Sequence, residues 1–223
     1  AKGDAAMTRP WFATILVAAC ALSACAGGQK VPDWSVNAVG HVERFSEAYL
    51  RGDSRVAARE FDRARAETAR TGRPDLVARA ELNRCALQVA SLDFEPCTGF
   101  DALAADAGEP ERAYARYLAG QASAADVALL PAQHRAVATG GGGVGAIEDP
   151  LARLIAAAVL LREHKAAPDV VAAAVDTASN QGWRRPLLAW LGVQARGAEQ
   201  RGDTEEAARI QRRMTLIAPS APR

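Results

Sequence analysis

The stretch RGDSRVAAREFDR, residues 51–63, recurs near the other end of the chain as RGDTEEAARIQRR, residues 201–213. The two copies share Arg-Gly-Asp, a hydroxyl side chain, paired alanines and an apolar residue after them. In each copy a glycine suited to the end of one helix precedes Asp-Ser or Asp-Thr, which can cap the next helix. The repeated pattern therefore predicts two corners of antiparallel helical hairpins, in which the alanines let the paired helices approach closely.

This corner resembles that of a tetratricopeptide repeat, in which glycine is followed by alanine, an aromatic residue and a second alanine. Gly52, Ala57, Phe61 and Ala64 fit that spacing in the first copy. The second copy keeps Gly202 and Ala207, but Gln211 and Met214 replace the aromatic residue and the last alanine. The resemblance covers about half a repeat, twice. It implies an all-α array of antiparallel helical hairpins, and the alternative is an irregular helical bundle, since bundles also use Gly-Asp corners.

Helical periodicity continues through the rest of the chain, and no segment has the alternation of a strand. We predict one helical domain at residues 33–219, with the shorter helices at 100–106, 109–119, 123–129 and 131–138. A glycine-rich break at 139–145 interrupts it, and we interpret this break as a flexible linker because a phosphate-binding loop needs a preceding strand and a following Lys. Asp149 and Pro150 then predict the start of a central, buried helix.

An apolar run from Trp11 to Ala21 ends in Leu22-Ser23-Ala24-Cys25. This motif resembles the lipobox of bacterial lipoprotein precursors, in which the signal is cut before the cysteine and the cysteine carries lipid. The resemblance implies a signal peptide at residues 1–24, lipidation at Cys25 and a lipid-anchored tether at 25–32. Residues 1–6 precede Met7, the expected native start. The alternatives are an ordinary cleaved signal or a spanning helix, although the run is shorter than the roughly 20 residues that spanning requires.

The chain as a whole resembles lipoproteins of Gram-negative bacteria, on the segments Pro32-Asp33-Trp34, Phe94-Glu95-Pro96-Cys97 and residues 182–192. That resemblance implies an address in the cell envelope and no particular activity. Ala26 follows the cysteine, where aspartate retains many lipoproteins at the inner membrane. We therefore expect a lipid-anchored protein at the periplasmic face of the outer membrane.

Two cysteines, Cys85 and Cys97, remain once Cys20 leaves with the signal and Cys25 is acylated. Two thiols in an oxidising compartment favour a disulfide, so we predict a Cys85–Cys97 bond. The alternative is two separate buried thiols, because cysteine packs like a small apolar residue.

The composition argues against several classes of function. With 27 basic and 26 acidic side chains the net charge is +1, which lacks the basic excess of a nucleic-acid-binding protein. The histidines His41, His134 and His164 have no metal-binding spacing, and we expect each at the surface or at a helix end. No motif of nucleophilic or acid–base catalysis is present, so neither a metal, a cofactor nor an enzymatic activity is predicted.

Trp183, Arg184, Arg185 and Trp190 form the candidate partner-binding group, because tryptophan and arginine are enriched at binding hot spots. The alternative is that both tryptophans fill the core and the arginines face water. The function expected from the sequence is a lipid-anchored periplasmic scaffold that binds or helps assemble another envelope protein. The alternative function is a periplasmic enzyme or ligand-binding protein that acts on cell-wall or lipid material.

Overall fold

Helices account for all the regular secondary structure of residues 31–218, the part of the chain that the computed structural model describes. In chain order the α-helices are α1 (Asp33–Arg51), α2 (Ser54–Ala69), α3 (Pro74–Ala90), α4 (Thr98–Asp101), α5 (Glu109–Leu118), α6 (Ala124–Val127), α7 (Ala132–Ala138), α8 (Pro150–Arg162), α9 (Pro168–Asn180), α10 (Arg184–Gln200) and α11 (Thr204–Ile217). The prediction of an all-α fold is confirmed. Within the described range, none of the helices combines the length and the apolar character needed to cross a membrane.

The two copies of the repeat form equivalent corners. Gly52 and Gly202 adopt positive φ angles of 87° and 73°, which glycine tolerates because it has no Cβ. After each, the Asp N–H donates to a carbonyl five residues back, Asp53 to Ala48 at 2.8 Å and Asp203 to Ala198 at 3.0 Å. This is the Schellman arrangement that ends a helix by satisfying its last carbonyls. Both corners are therefore built by the same local chemistry.

The aspartate that follows each glycine behaves differently in the two copies. Asp203 caps α11, since its Oδ1 accepts a 3.0 Å hydrogen bond from the Glu206 N–H. Asp53 makes no such bond to α2 and instead lies 3.7 Å from the Arg184 guanidinium. The first corner therefore lacks the local cap, and its aspartate contacts α10 instead.

Helices that are neighbours in sequence pack together in two groups. In the first group α1 packs on α2 and α3, and in the second α8 packs on α9, α9 on α10 and α10 on α11. Two long-range contacts join these groups, α3 against α8 and α1 against α10. This packing is compatible with an array of hairpins that is folded back on itself. In an open array each repeat would contact only its neighbours. The tetratricopeptide-like assignment remains a prediction.

The core has a large and a small part. The large part surrounds α8, whose Leu154 to Val159 are at most 4% exposed, as the predicted central helix requires. The small part is an aromatic cluster between α1, α2 and α3, in which the ring centroids of Phe45 and Phe61 lie 5.2 Å apart. Trp183 packs against both parts, so it connects them.

The glycine-rich break lies between the end of α7 and the start of α8, and the residues that follow its glycines are held in the core. Val144 and Ile147 are buried in the large core. The Arg153 guanidinium also donates two hydrogen bonds to the Ile147 carbonyl, at 2.9 and 2.7 Å. The residues just after the glycines are therefore anchored in the core, and the flexibility of the glycines themselves stays a prediction.

Cys85 and Cys97 are joined by a disulfide in the structure, with their Cα atoms 5.8 Å apart. The bond ties the turn before α4 to the middle of α3. Cys25 and most of the tether lie outside the described residues, so the signal peptide and the lipid remain predictions.

Candidate functional site

The predicted partner-binding group does not form one exposed surface. Trp190 is fully buried, and its indole N–H donates to the Ala90 carbonyl of α3 at 3.2 Å. Trp190 therefore belongs to the core, which is the alternative that the sequence left open. Trp183 is half-buried between the two parts of the core.

Arg185 links the start of α10 to α1 and α2. Its guanidinium lies 4.2 Å from the centroid of the Tyr49 ring, a distance at which a cation and an aromatic face attract each other. The same group donates to the Tyr49 carbonyl at 2.7 Å and to the Ser54 hydroxyl at 2.8 Å. Arg184 lies near Asp53 at the same place. The two arginines therefore bind other residues of this chain and do not form a docking site for a partner.

A cleft of about 590 Å³, called here the α3–α8 cleft, opens where α3, α5, α7 and α8 meet. Its volume lies in the range of binding pockets. Most of its walls are apolar, and the residues that line it include Leu82, Ala86, Leu130, Ala152 and Ile155. Leu129 also lines the cleft and is 37% exposed, so it provides an accessible apolar side chain there.

Tyr114 and His134 also line the α3–α8 cleft. Their ring centroids lie 5.7 Å apart, and Tyr117 packs on His134 from 5.1 Å. His134 is 1% exposed, and its Nδ1 lies 3.4 Å from the Tyr117 hydroxyl. Burial lowers the pKa of His134 to about 4, against the weaker opposing effect of Asp149, and burial raises the pKa of Tyr114. These rings are therefore neutral near pH 7. Of the two locations expected for His134, the surface is wrong because the ring is buried, whereas the residue does lie in the first turn of α7.

The charged side chains that line the α3–α8 cleft all have partners. Arg79 and Glu111 form an ion pair with a 2.7 Å separation. Arg135 donates to the Leu130 carbonyl at 2.8 Å. Asp149 caps α8 by accepting a 2.6 Å hydrogen bond from a backbone N–H. The cleft consequently offers a mainly apolar surface whose charged side chains already have ionic or hydrogen-bonding partners, while the Oδ1 of Asn83 is buried there without one.

A second cleft, called here the α5–α8 cleft, has a volume of about 820 Å³ and is lined by Tyr117, whose ring packs on His134 of the first cleft. It is lined mainly by small apolar residues, among them Ala122, Val127, Val137, Ala156 and Val159. Glu163 and Lys165 also line it and pair with each other at 2.7 Å. This cleft has the character of a site for an apolar group.

Three buried carboxylates were missed by the sequence analysis, which placed the acidic residues on solvated helix faces. Glu60, Glu81 and Asp126 are 8%, 3% and 4% exposed, and each is paired with at least one arginine. The signal available for Glu81 was its helix, since α3 is apolar on several faces and leaves little room for a solvated carboxylate.

The environment of Glu60 and of Asp126 favours the charged form of each carboxyl group. A hydrogen bond with His41, followed by one from Arg44, lowers the pKa of Glu60 to about 2. Hydrogen bonds from Arg116 and from the Ser123 N–H lower the pKa of Asp126. These two groups therefore act as fixed anions that hold helices together, and not as acids or bases near neutral pH.

Among residues 31–218 no group of His, Cys, Asp and Glu side chains is arranged to hold a metal ion. The chain was also compared with family models, with curated protein sequences and with solved structures, and none of the three comparisons gave a match.

Proposed function

We propose that this protein is a lipid-anchored helical scaffold of the cell envelope, which binds another envelope protein in the α3–α8 cleft. The observation that carries the proposal is the chemistry of that cleft: mainly apolar walls, neutral rings and charged side chains that already have ionic or hydrogen-bonding partners. Such a surface gains free energy by burying apolar side chains, the usual core of a protein interface.

Binding is favoured over catalysis by the titration behaviour of the charged groups. A catalytic acid or base works best with a pKa near the operating pH. The carboxylates with resolved shifts in residues 31–218 have lowered pKa values, and His134 is held neutral by burial. The cleft also has room for one or two large side chains of a partner, and such anchors commonly dominate interface energetics.

The cellular address in this proposal depends on Cys25 alone. Cys25→Ser should leave the precursor unprocessed and without lipid, whereas the parent protein should incorporate a fatty-acid analogue. Labelling of the Cys25→Ser variant would contradict the lipidation. Fractionation of the labelled parent protein would then distinguish the outer from the inner membrane.

Docking in the cleft is tested with two exposed leucines, one that lines the α3–α8 cleft and one on α11 that does not. A photoreactive residue at Leu129, in the α3–α8 cleft, should give a discrete protein adduct in intact membranes. The same residue at Leu216, which is 85% exposed on α11, should not. Leu129→Glu should abolish co-purification of the crosslinked partner, and Leu216→Glu should preserve it. Equal adducts from both positions, or none from Leu129, would refute docking in this cleft.

The α5–α8 cleft favours a second candidate function, the binding of a small apolar ligand. Its volume of about 820 Å³ and its alanine and valine lining suit a flexible hydrocarbon chain. Native mass spectrometry of the protein purified from membranes tests this directly. An adduct of constant mass that disappears in Ala156→Phe, a substitution that fills the cleft, would support ligand binding.

A further inference from the structure

Unusual apolar exposure marks the beginning of the helical domain. Val31, Val36 and Val39 are 58%, 59% and 56% exposed. They are three of the six large apolar side chains that are exposed in residues 31–218, and they fall within nine positions. Because apolar surface exposed to water costs free energy in proportion to its area, such a concentration indicates a contact surface.

Groups that favour a membrane interface also occur beside the start of α1. Trp34 borders a shallow depression together with Asp33 beside it and Arg70, Thr71 and Arg73 from the corner between α2 and α3. The Arg70 and Arg73 side chains pair with Glu67 and Asp75 but are still 70% and 59% exposed. Tryptophan is enriched at the boundary between water and lipid, and arginine is attracted to anionic head groups.

The length of the preceding chain limits how far this surface can lie from a membrane. Val31 is six residues after Cys25. A stretch of that length spans at most about 20 Å when fully extended. This step depends on the proposed lipidation of Cys25, which would hold the start of α1 within that distance of the bilayer.

We propose that the first two turns of α1, with Val36 and Val39, lie against the phospholipid bilayer, and that the lipid on Cys25 and this surface act together as a two-point attachment. A single lipid chain binds membranes weakly, and a second contact with apolar and basic groups strengthens such attachment. The contact ends before the middle of α1, because two exposed carboxylates, Glu43 and Glu47, lie there and an anionic bilayer repels them, whereas the first two turns carry only Asp33. The helix therefore meets the membrane at its N-terminal end.

Site-specific crosslinking to lipid tests the contact in the full-length, lipidated protein. The protein is reconstituted in vesicles of phosphatidylethanolamine and phosphatidylglycerol, with a photoreactive residue at Val36, at Val39 or at Val56. Val56 is the matched control, because it is a valine with 41% exposure at the start of α2, beside the far end of α1. Positions 36 and 39 should give several times more lipid adduct than position 56.

In a second set of variants the photoreactive residue stays at one position while the valines under test are substituted. With the probe at Val31, the double substitution Val36→Asp and Val39→Asp should reduce the lipid adduct several-fold, while Val56→Asp should leave it unchanged. Protein adducts in place of lipid adducts, or equal lipid adducts at 36, 39 and 56, would overturn the membrane contact. Mass analysis of Cys25 is run first: a missing lipid overturns the anchor and the contact together, whereas a lipidated protein without adducts overturns only the contact.

Discussion

Protonation of His134 should limit the stability of this protein in mildly acidic solution. The ring is 1% exposed and lies among Tyr114 and Tyr117, with Asp149 as the nearby carboxylate. Burial lowers its pKa from 6.5 to about 4. The unfolded chain therefore binds more protons than the native one between these values. The contribution to stability is fully present above pH 6.5 and is lost as the pH falls toward 4.

The size of the effect follows from the shift. Integrating the difference in bound protons predicts a loss of about 2 kcal/mol in the free energy of unfolding between pH 7 and pH 5. The slope cannot exceed about 1.4 kcal/mol per pH unit for one group. Urea unfolding followed by circular dichroism at several pH values, with the disulfide intact, measures it. Glu60 contributes separately, because its lowered pKa of about 2 affects stability only below its ordinary value of 4.5.

His134→Gln is the control, because glutamine is polar and does not titrate. The variant should be less stable than the parent at pH 7 because the ring packing is lost. Its stability should change less between pH 7 and pH 5, so that the gap to the parent narrows by about 2 kcal/mol. If the two curves of stability against pH run parallel, His134 is not the group responsible and the reasoning from its burial is refuted.

Three further substitutions test the packing, each by urea unfolding. Trp190→Ala should lower the free energy of unfolding by about 3–5 kcal/mol, because the indole is fully buried. Gly99→Ala should lower it by about 1–3 kcal/mol, because the added Cβ would collide with the Glu81 carboxylate. Replacing Cys85 and Cys97 together by alanine should cost about 3 kcal/mol through the freed loop, and a reducing agent should then have no further effect.

Controls for these variants are present in the same chain. Gly192 lies inside α10, where an added Cβ would meet only the Arg196 guanidinium at 3.7 Å. Gly192→Ala should therefore raise stability by about 0.5–1 kcal/mol, opposite in sign to Gly99→Ala. Trp183→Ala should cost less than Trp190→Ala, because Trp183 is half-buried. Equal losses at the two tryptophans, or a loss at Gly192, would contradict the packing described above.

The helices were predictable because their ends are marked locally. Asp149 and Pro150 begin α8, and Gly52 and Gly202 end α1 and α10, as the sequence indicates. These signals act within a few residues and need no knowledge of the fold. Four short helices were also expected near their observed places, although α4 and α6 form only single turns.

The clefts and the buried charges were not predictable, because they depend on contacts between distant segments. Glu81 meets Arg65 from the preceding helix, and His134 becomes buried only when α7 packs beside Tyr114 and Tyr117. In sequence, His134 looks like an ordinary helical surface residue, and for Glu81 the apolar faces of α3 indicate burial but not the arginine that pairs with it. The role of Arg185 is similar, since its partners Tyr49 and Ser54 lie more than a hundred residues away.

The contact between α1 and α10 has a consequence for how this protein can change in length. Open repeat arrays gain or lose units by duplication and deletion, because each new unit finds the same neighbours. Here α1 contacts α10 through the Arg185 guanidinium and the Tyr49 ring. A pair of helices inserted between α1 and α10 would separate these two groups and expose the aromatic cluster of α1, α2 and α3. We therefore expect the contact between α1 and α10 to limit changes in the number of helices, and changes in the exposed loops and helix faces to be tolerated better.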